Sequence, residues 1–88
     1  MSHIIDARVV PSNDVRRLLE LRFNSGQGGI VNLADELHGS VFGPLYHRGC
    51  FSEVGLHSLL HTVTWPNGAD LAPEYLLDLL QRQQGHAA

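Results

Sequence analysis

Lysine is missing from this 88-residue sequence, and cysteine occurs once. All six basic residues are arginine, and nine acidic residues outnumber them for a formal net charge of −3. A protein that grips DNA or RNA generally needs a basic face, because phosphate neutralisation supplies most of the sequence-independent affinity. Direct nucleic-acid binding is therefore disfavoured. Cys50 has no second cysteine to pair with, and secreted domains this small usually carry several. No apolar run approaches about 18 residues, so a membrane-spanning helix is excluded. The opening Met1-Ser2-His3-Ile4-Ile5-Asp6 has no basic stretch followed by an apolar one, unlike a signal peptide. The expected setting is the cytoplasm, with no membrane partner. Repeats, low-complexity segments and linkers are absent too, which predicts a single domain over 1–88, with an ordered core over about 3–83 and a flexible tail over 84–88.

An apolar fraction of 43% is present, enough for one modest core. The charge is uneven. Residues 1–24 hold four arginines against three acids, net +1, and the remainder holds two against six, net −4.

Residues 3–10 alternate, with Ile5, Ala7 and Val9 on one side and Asp6 and Arg8 on the other, which predicts a strand. Pro11-Ser12-Asn13-Asp14 reads as a turn. Residues 17–23 alternate again, Leu19, Leu21 and Phe23 against Glu20 and Arg22, and a reversal at Asn24-Ser25-Gly26 returns the chain as a third strand over 27–33. Asn32 is placed to cap a short helix over 33–38 that Gly39 ends. Residues 40–45 read as a helical turn or tight loop carrying Val41, Phe42 and Leu45 into the core, and 46–50 as a polar connection. Strands follow over 51–56 and 60–65, and Pro66-Asn67-Gly68 stops the second. The clearest helix starts at Pro73, carries the apolar stripe Tyr75, Leu76, Leu79 and Leu80, and ends at Gly85. The expected fold is α+β: about five short, mainly antiparallel strands, a short middle helical segment, and a C-terminal helix packed on one face of the sheet.

The run Trp65-Pro66-Asn67-Gly68-Ala69-Asp70-Leu71-Ala72-Pro73-Glu74 is distinctive. Together with Leu21-Arg22-Phe23-Asn24-Ser25-Gly26, Val31-Asn32-Leu33, Val41-Phe42-Gly43-Pro44-Leu45 and Phe51, it resembles the bacterial domain-of-unknown-function family numbered 2442 over about residues 3–80. The resemblance implies a small α+β fold and no established activity. It also implies a setting: some relatives carry an appended helix-turn-helix domain, and many are encoded beside another very small protein in a toxin–antitoxin-like arrangement. This sequence ends after its last helix, which turns the expectation away from a direct regulator. Its Tyr46-His47-Arg48-Gly49-Cys50 segment is more basic than the family pattern.

Several groups could carry chemistry. His47, Cys50, His57 and His61 have a spacing superficially like a zinc site, although one thiolate is few for a structural site, and scattered surface histidines are the competing reading. Cys50 near His47 could act as a nucleophile with its base, or simply fill space at a strand start. Gly26-x-Gly28-Gly29 suits a hairpin better than a phosphate cradle. In the motif loop, Trp65, Asn67, Gly68 and Asp70 are either a ligand site or a core anchor, a tight turn and a helix cap. Arg8, Arg16, Arg17 and Arg22 form either a docking patch for an acidic partner or a solvated face paired with Asp6 and Glu20. No catalytic set and no cofactor are indicated. The leading expectation is a non-catalytic protein-interaction module, antitoxin-like or an adaptor, with a small protein partner or a second copy of itself. The alternative is a small-molecule or metal sensor using the 47–61 region or the 65–70 loop.

Overall fold

The fold is known from a computed structural model, which describes residues 2–85. Three antiparallel strands form the first sheet in the order β1 (Ile4–Val10), β2 (Leu18–Phe23), β3 (Gly28–Asn32). Short helical pieces follow: a 3-10 turn at Ala34–Glu36, α1 (Gly39–Phe42), a second 3-10 turn at Gly43–Tyr46, and α2 (Arg48–Phe51). A second sheet is the hairpin of β4 (Gly55–His57) and β5 (Thr62–Thr64), and α3 (Pro73–Gly85) closes the described chain. The architecture is α+β as expected, but the five strands divide between two sheets.

Alternation in β2 works as the pattern requires. Leu19, Leu21 and Phe23 are buried, while Glu20 and Arg22 are exposed. In β1 the expected face fails at its start. A bulge between Ile4 and Asp6 places Ile4 opposite Phe23 in the core, 1% exposed, and leaves Ile5 54% exposed. Ala7 and Val9 keep the inward side.

Five other expectations are corrected. Asn32 does not cap a helix over 33–38. Its Oδ1 accepts from the Ala34 N–H (3.0 Å) and the Arg17 N–H (3.1 Å), so one turn forms where a helix was expected, and Gly39 begins α1. Residues 46–50 are not a plain connection: the His47 Nδ1 accepts from the Gly49 N–H (3.2 Å) and starts α2. Phe51 then ends that helix, so the strand expected over 51–56 shrinks to Gly55–His57. The reason is tertiary: Phe51 packs 6.0 Å from Trp65, whose Nε1–H donates to the Phe51 carbonyl (3.0 Å). Likewise the strand over 60–65 is only Thr62–Thr64, with Leu59 and Leu60 exposed in the turn, and Val41 is exposed where the core was expected.

Helix α3 covers the core side of the first sheet through Leu76, Leu79 and Leu80. Its close approach to β3 needs Gly29, where an added Cβ would lie 3.2 Å from Leu80 Cδ1 and 2.7 Å from Gln84 Nε2. The helix runs through Gly85, and residues 86–88 of the expected tail lie outside the described residues.

Gln83 pairs with the β3 edge at Asn32. Its amide accepts from the Asn32 N–H (2.9 Å) and donates to the Asn32 C=O (2.9 Å), as a neighbouring strand would. Gln83→Ala leaves both groups to water and is expected to lower stability by about 1–2 kcal/mol in a urea titration, at roughly 1 kcal/mol per hydrogen bond.

Candidate functional site

The segment between β1 and β2 folds back on itself before it reaches the sheet. Asp14 organises it. Its Oδ1 accepts from the Ser12 hydroxyl (2.6 Å), the Arg16 N–H (2.9 Å) and Arg16 Nε (3.0 Å), and its Oδ2 also takes Arg16 Nε (3.0 Å). The Arg16 side-chain bond, then the Ser12 hydroxyl, hold the Asp14 carboxyl well below its ordinary 3.8. A carboxylate whose folded pKa is depressed stabilises the fold fully above its ordinary value, and that contribution is lost progressively as pH falls from the ordinary value through the depressed one. In a carbon-detected NMR titration, Asp14 is therefore expected to stay ionised as the pH falls past 3.8, the ordinary value for an aspartate.

Arg17 turns the other way. The residue is 7% exposed. Its Nε donates to the Tyr46 carbonyl (2.6 Å) and its Nη1 to the carbonyls of Arg16 (2.9 Å) and Asp14 (3.2 Å), while the guanidinium lies 4.4 Å from the centre of the Tyr46 ring. Arg48, at the start of α2, adds Nη2 to the same Asp14 carbonyl (2.7 Å). These bonds tie the 14–17 segment to the 46–48 segment. Between them opens a groove of about 340 Å³ at the end of β1, with an apolar lining from Val9, Val10, Pro11, Leu18 and Phe51, and with Arg16, Arg17 and Arg48 around it. Asp14 neutralises Arg16, but among the described residues neither Arg17 nor Arg48 is in an ion pair. The groove is thus apolar inside with surplus positive charge at its rim.

The four arginines singled out from the sequence do not form one patch. Arg16 and Arg17 stand at the groove. Arg8 and Arg22 lie on the solvent face of the sheet, directly opposite Glu20 and Asp6, with Arg8 Nε 3.1 Å from Glu20 Oε1. Arg48, Val10, Leu18 and Phe51 were not singled out. The one signal pointing to them was the basic character of the 46–50 segment.

The histidines and the cysteine are scattered. His47 and half-buried Cys50 belong to α2 and its cap. The His57 Nδ1 accepts from the Leu59 and Leu60 N–H groups (both 3.1 Å), shaping the β4–β5 turn. His61 has a positive φ of 54° and stacks on His3, ring centroids 4.2 Å apart. Among the described residues no group of three or more His, Cys, Asp or Glu is arranged to hold a metal ion.

The motif loop is a clasp. Gly68, at φ +90°, makes a turn that returns its N–H to the Trp65 carbonyl (3.0 Å). Asn67 accepts from the Ala69 N–H (3.1 Å) and donates Nδ2–H to the Val41 carbonyl (2.9 Å), tying the loop to α1. Trp65 is a core anchor, 3% exposed. Asp70 does not cap α3: the carbonyl that accepts from the Leu76 N–H belongs to Ala72, and Asp70 instead pairs with Thr64 in an isolated bridge while its side chain is exposed.

A family model described as a protein of unknown function (DUF2442) matches residues 6–81. The chain belongs to this family. The match includes the whole 65–74 run and both segments that build the groove. No curated protein and no solved structure matches the chain. Among the described residues of this DUF2442 member, no helix is long and apolar enough to cross a membrane.

Proposed function

We propose that the chain is a non-catalytic interaction module of the cytoplasm that docks a small partner protein, in the manner of an antitoxin or an adaptor. The observation that carries this reading is the groove: an apolar lining beside two guanidinium groups with no carboxylate of their own. Such a surface is complementary to an apolar side chain flanked by an acidic residue. Burying the apolar group supplies affinity, and Arg48, exposed at the rim, supplies orientation and encounter rate.

A tagged chain recovered from its native cells at low salt is expected to bring down one small protein in near-equal amount, identified by mass spectrometry. Arg48→Glu reverses the rim charge and is expected to reduce that recovery about tenfold or more, whereas Arg82→Glu, on the far end of α3, leaves it unchanged. Equal recovery with both variants would overturn the groove as the docking surface.

A further inference from the structure

The two edges of the first sheet differ. Gln83 occupies β3 at Asn32, while β1 has a strand on one side only. The directions of the backbone groups follow from the ladder. On β2, the Arg17 carbonyl accepts from Leu33 and the Phe23 N–H donates to Gln27, both toward β3. The alternate residues Leu18, Glu20 and Arg22 therefore face β1, opposite Val10, Arg8 and Asp6. Ala7 and Val9 point their N–H and C=O groups away from β2, off the free edge. The β4–β5 hairpin reaches this edge at Ile4, whose N–H donates to the His61 carbonyl (2.9 Å), and among the described residues it pairs with β1 no further.

The solvent face beside that edge carries a charge pattern. Asp6 stands opposite Arg22 and Arg8 opposite Glu20, so every directly opposed charged pair joins unlike signs. A second copy can pair antiparallel with this edge only about a two-fold axis, with outward-pointing residues facing outward-pointing residues. Three axes near the centre of β1 satisfy that condition. An axis at Asp6 sets two aspartates face to face, and an axis at Arg8 sets two arginines face to face. An axis at Ala7 sets Asp6 against Arg8 of the partner copy, twice, and continues the unlike-charge pattern across the join. It also puts only two methyl groups on the axis itself, and the matched faces run from Asp6 to Arg8, ending where the bulge turns Ile5, 54% exposed, to the solvent side.

The geometry points to a second copy of this chain as the occupant of the β1 edge, paired antiparallel about Ala7 into a continuous six-stranded sheet. The interface is isologous, as a closed dimer requires, and its outer edges are the two β3 strands, each paired by Gln83 at Asn32. It adjoins the groove, whose lining includes Val9 and Val10, but Arg16, Arg17 and Arg48 take no part in it.

Sedimentation velocity on the full chain tests this directly. The wild type is expected to sediment at twice the chain mass. Arg8→Asp and Asp6→Arg each set like charges opposite one another at both ends of the join, and each is expected to raise the dissociation constant about tenfold or more. An equimolar mixture of the two variants restores both unlike pairs and is expected to form the mixed dimer, which also shows that each variant is folded. Amide exchange at Ala7 and Val9 is expected to slow as the wild-type concentration rises. A wild type that remains a monomer at several hundred micromolar, or a dimer that neither variant weakens, would overturn the proposal. Because Arg48→Glu acts on the groove and these variants act on the edge, failure of either reading leaves the other standing.

Discussion

Arg17→Leu is expected to lower the stability of the chain by about 2–4 kcal/mol, seen as a lower urea midpoint with an unchanged slope. The leucine fills much of the aliphatic stem's space, so the loss is not chiefly one of packing. It comes from carbonyl groups. Tyr46 and Arg16 lose the donor that Arg17 supplied, and Asp14 keeps only Arg48. These acceptors are part-buried, so each loss falls toward the lower end of the about 1–3 kcal/mol that an unpaired buried acceptor costs. Arg17→Lys is expected to recover only part of the loss, because one ammonium cannot reproduce a planar fork that meets three carbonyls and lies over the Tyr46 ring. The same variant separates the two walls of the groove, so partner recovery is expected to fall with it. Arg48→Glu differs: it gives up one exposed bond, to the Asp14 carbonyl, so its stability loss is expected to be smaller than that of Arg17→Leu and its larger effect is on binding.

Leu76→Ala is the second large effect, about 2–5 kcal/mol. Leu76 is fully buried, 0% exposed, under the first sheet and among Leu79 and Leu80. A domain of this size has a net stability on the order of 5–10 kcal/mol, so the variant is expected to unfold well below the wild-type temperature. Leu77→Ala, on the half-buried flank of the same helix, is expected to cost less than half as much. If the two changes proved equal, the packing of α3 described above would be wrong.

The sequence was most legible where local pattern and tertiary contact agree. The alternation of Leu19, Leu21 and Phe23 specifies one buried face of β2, and Pro73 with the leucine stripe specifies α3. It was least legible between residues 33 and 61. There, single side chains decide the backbone: Asn32 binds Ala34 and Arg17, His47 starts α2, and Trp65 fixes the Phe51 carbonyl. None of these bonds leaves a period in the sequence. The bulge at the start of β1 escaped for the same reason, since Ile4 and Ile5 are chemically identical and only the register with Phe23 selects which is buried.

The candidate site shows the same division. Arg16 and Arg17 stood out as a basic pair, but their roles separate only in three dimensions, where Asp14 neutralises one and carbonyls surround the other. Arg48 joins them across 31 residues of sequence. The family motif is legible as a motif, yet its Trp65, Asn67 and Gly68 serve the fold, anchoring the core and tying the loop to α1.

The most direct measurement is an amide NMR titration of the isotope-labelled chain with the small protein recovered from its cells. The groove account predicts that the largest shifts fall on Val10, Ser12, Arg16, Arg48 and Ser52, and that Arg48→Glu abolishes them. Shifts concentrated instead at Asn67 to Asp70, or in the turn between His57 and His61, would contradict it.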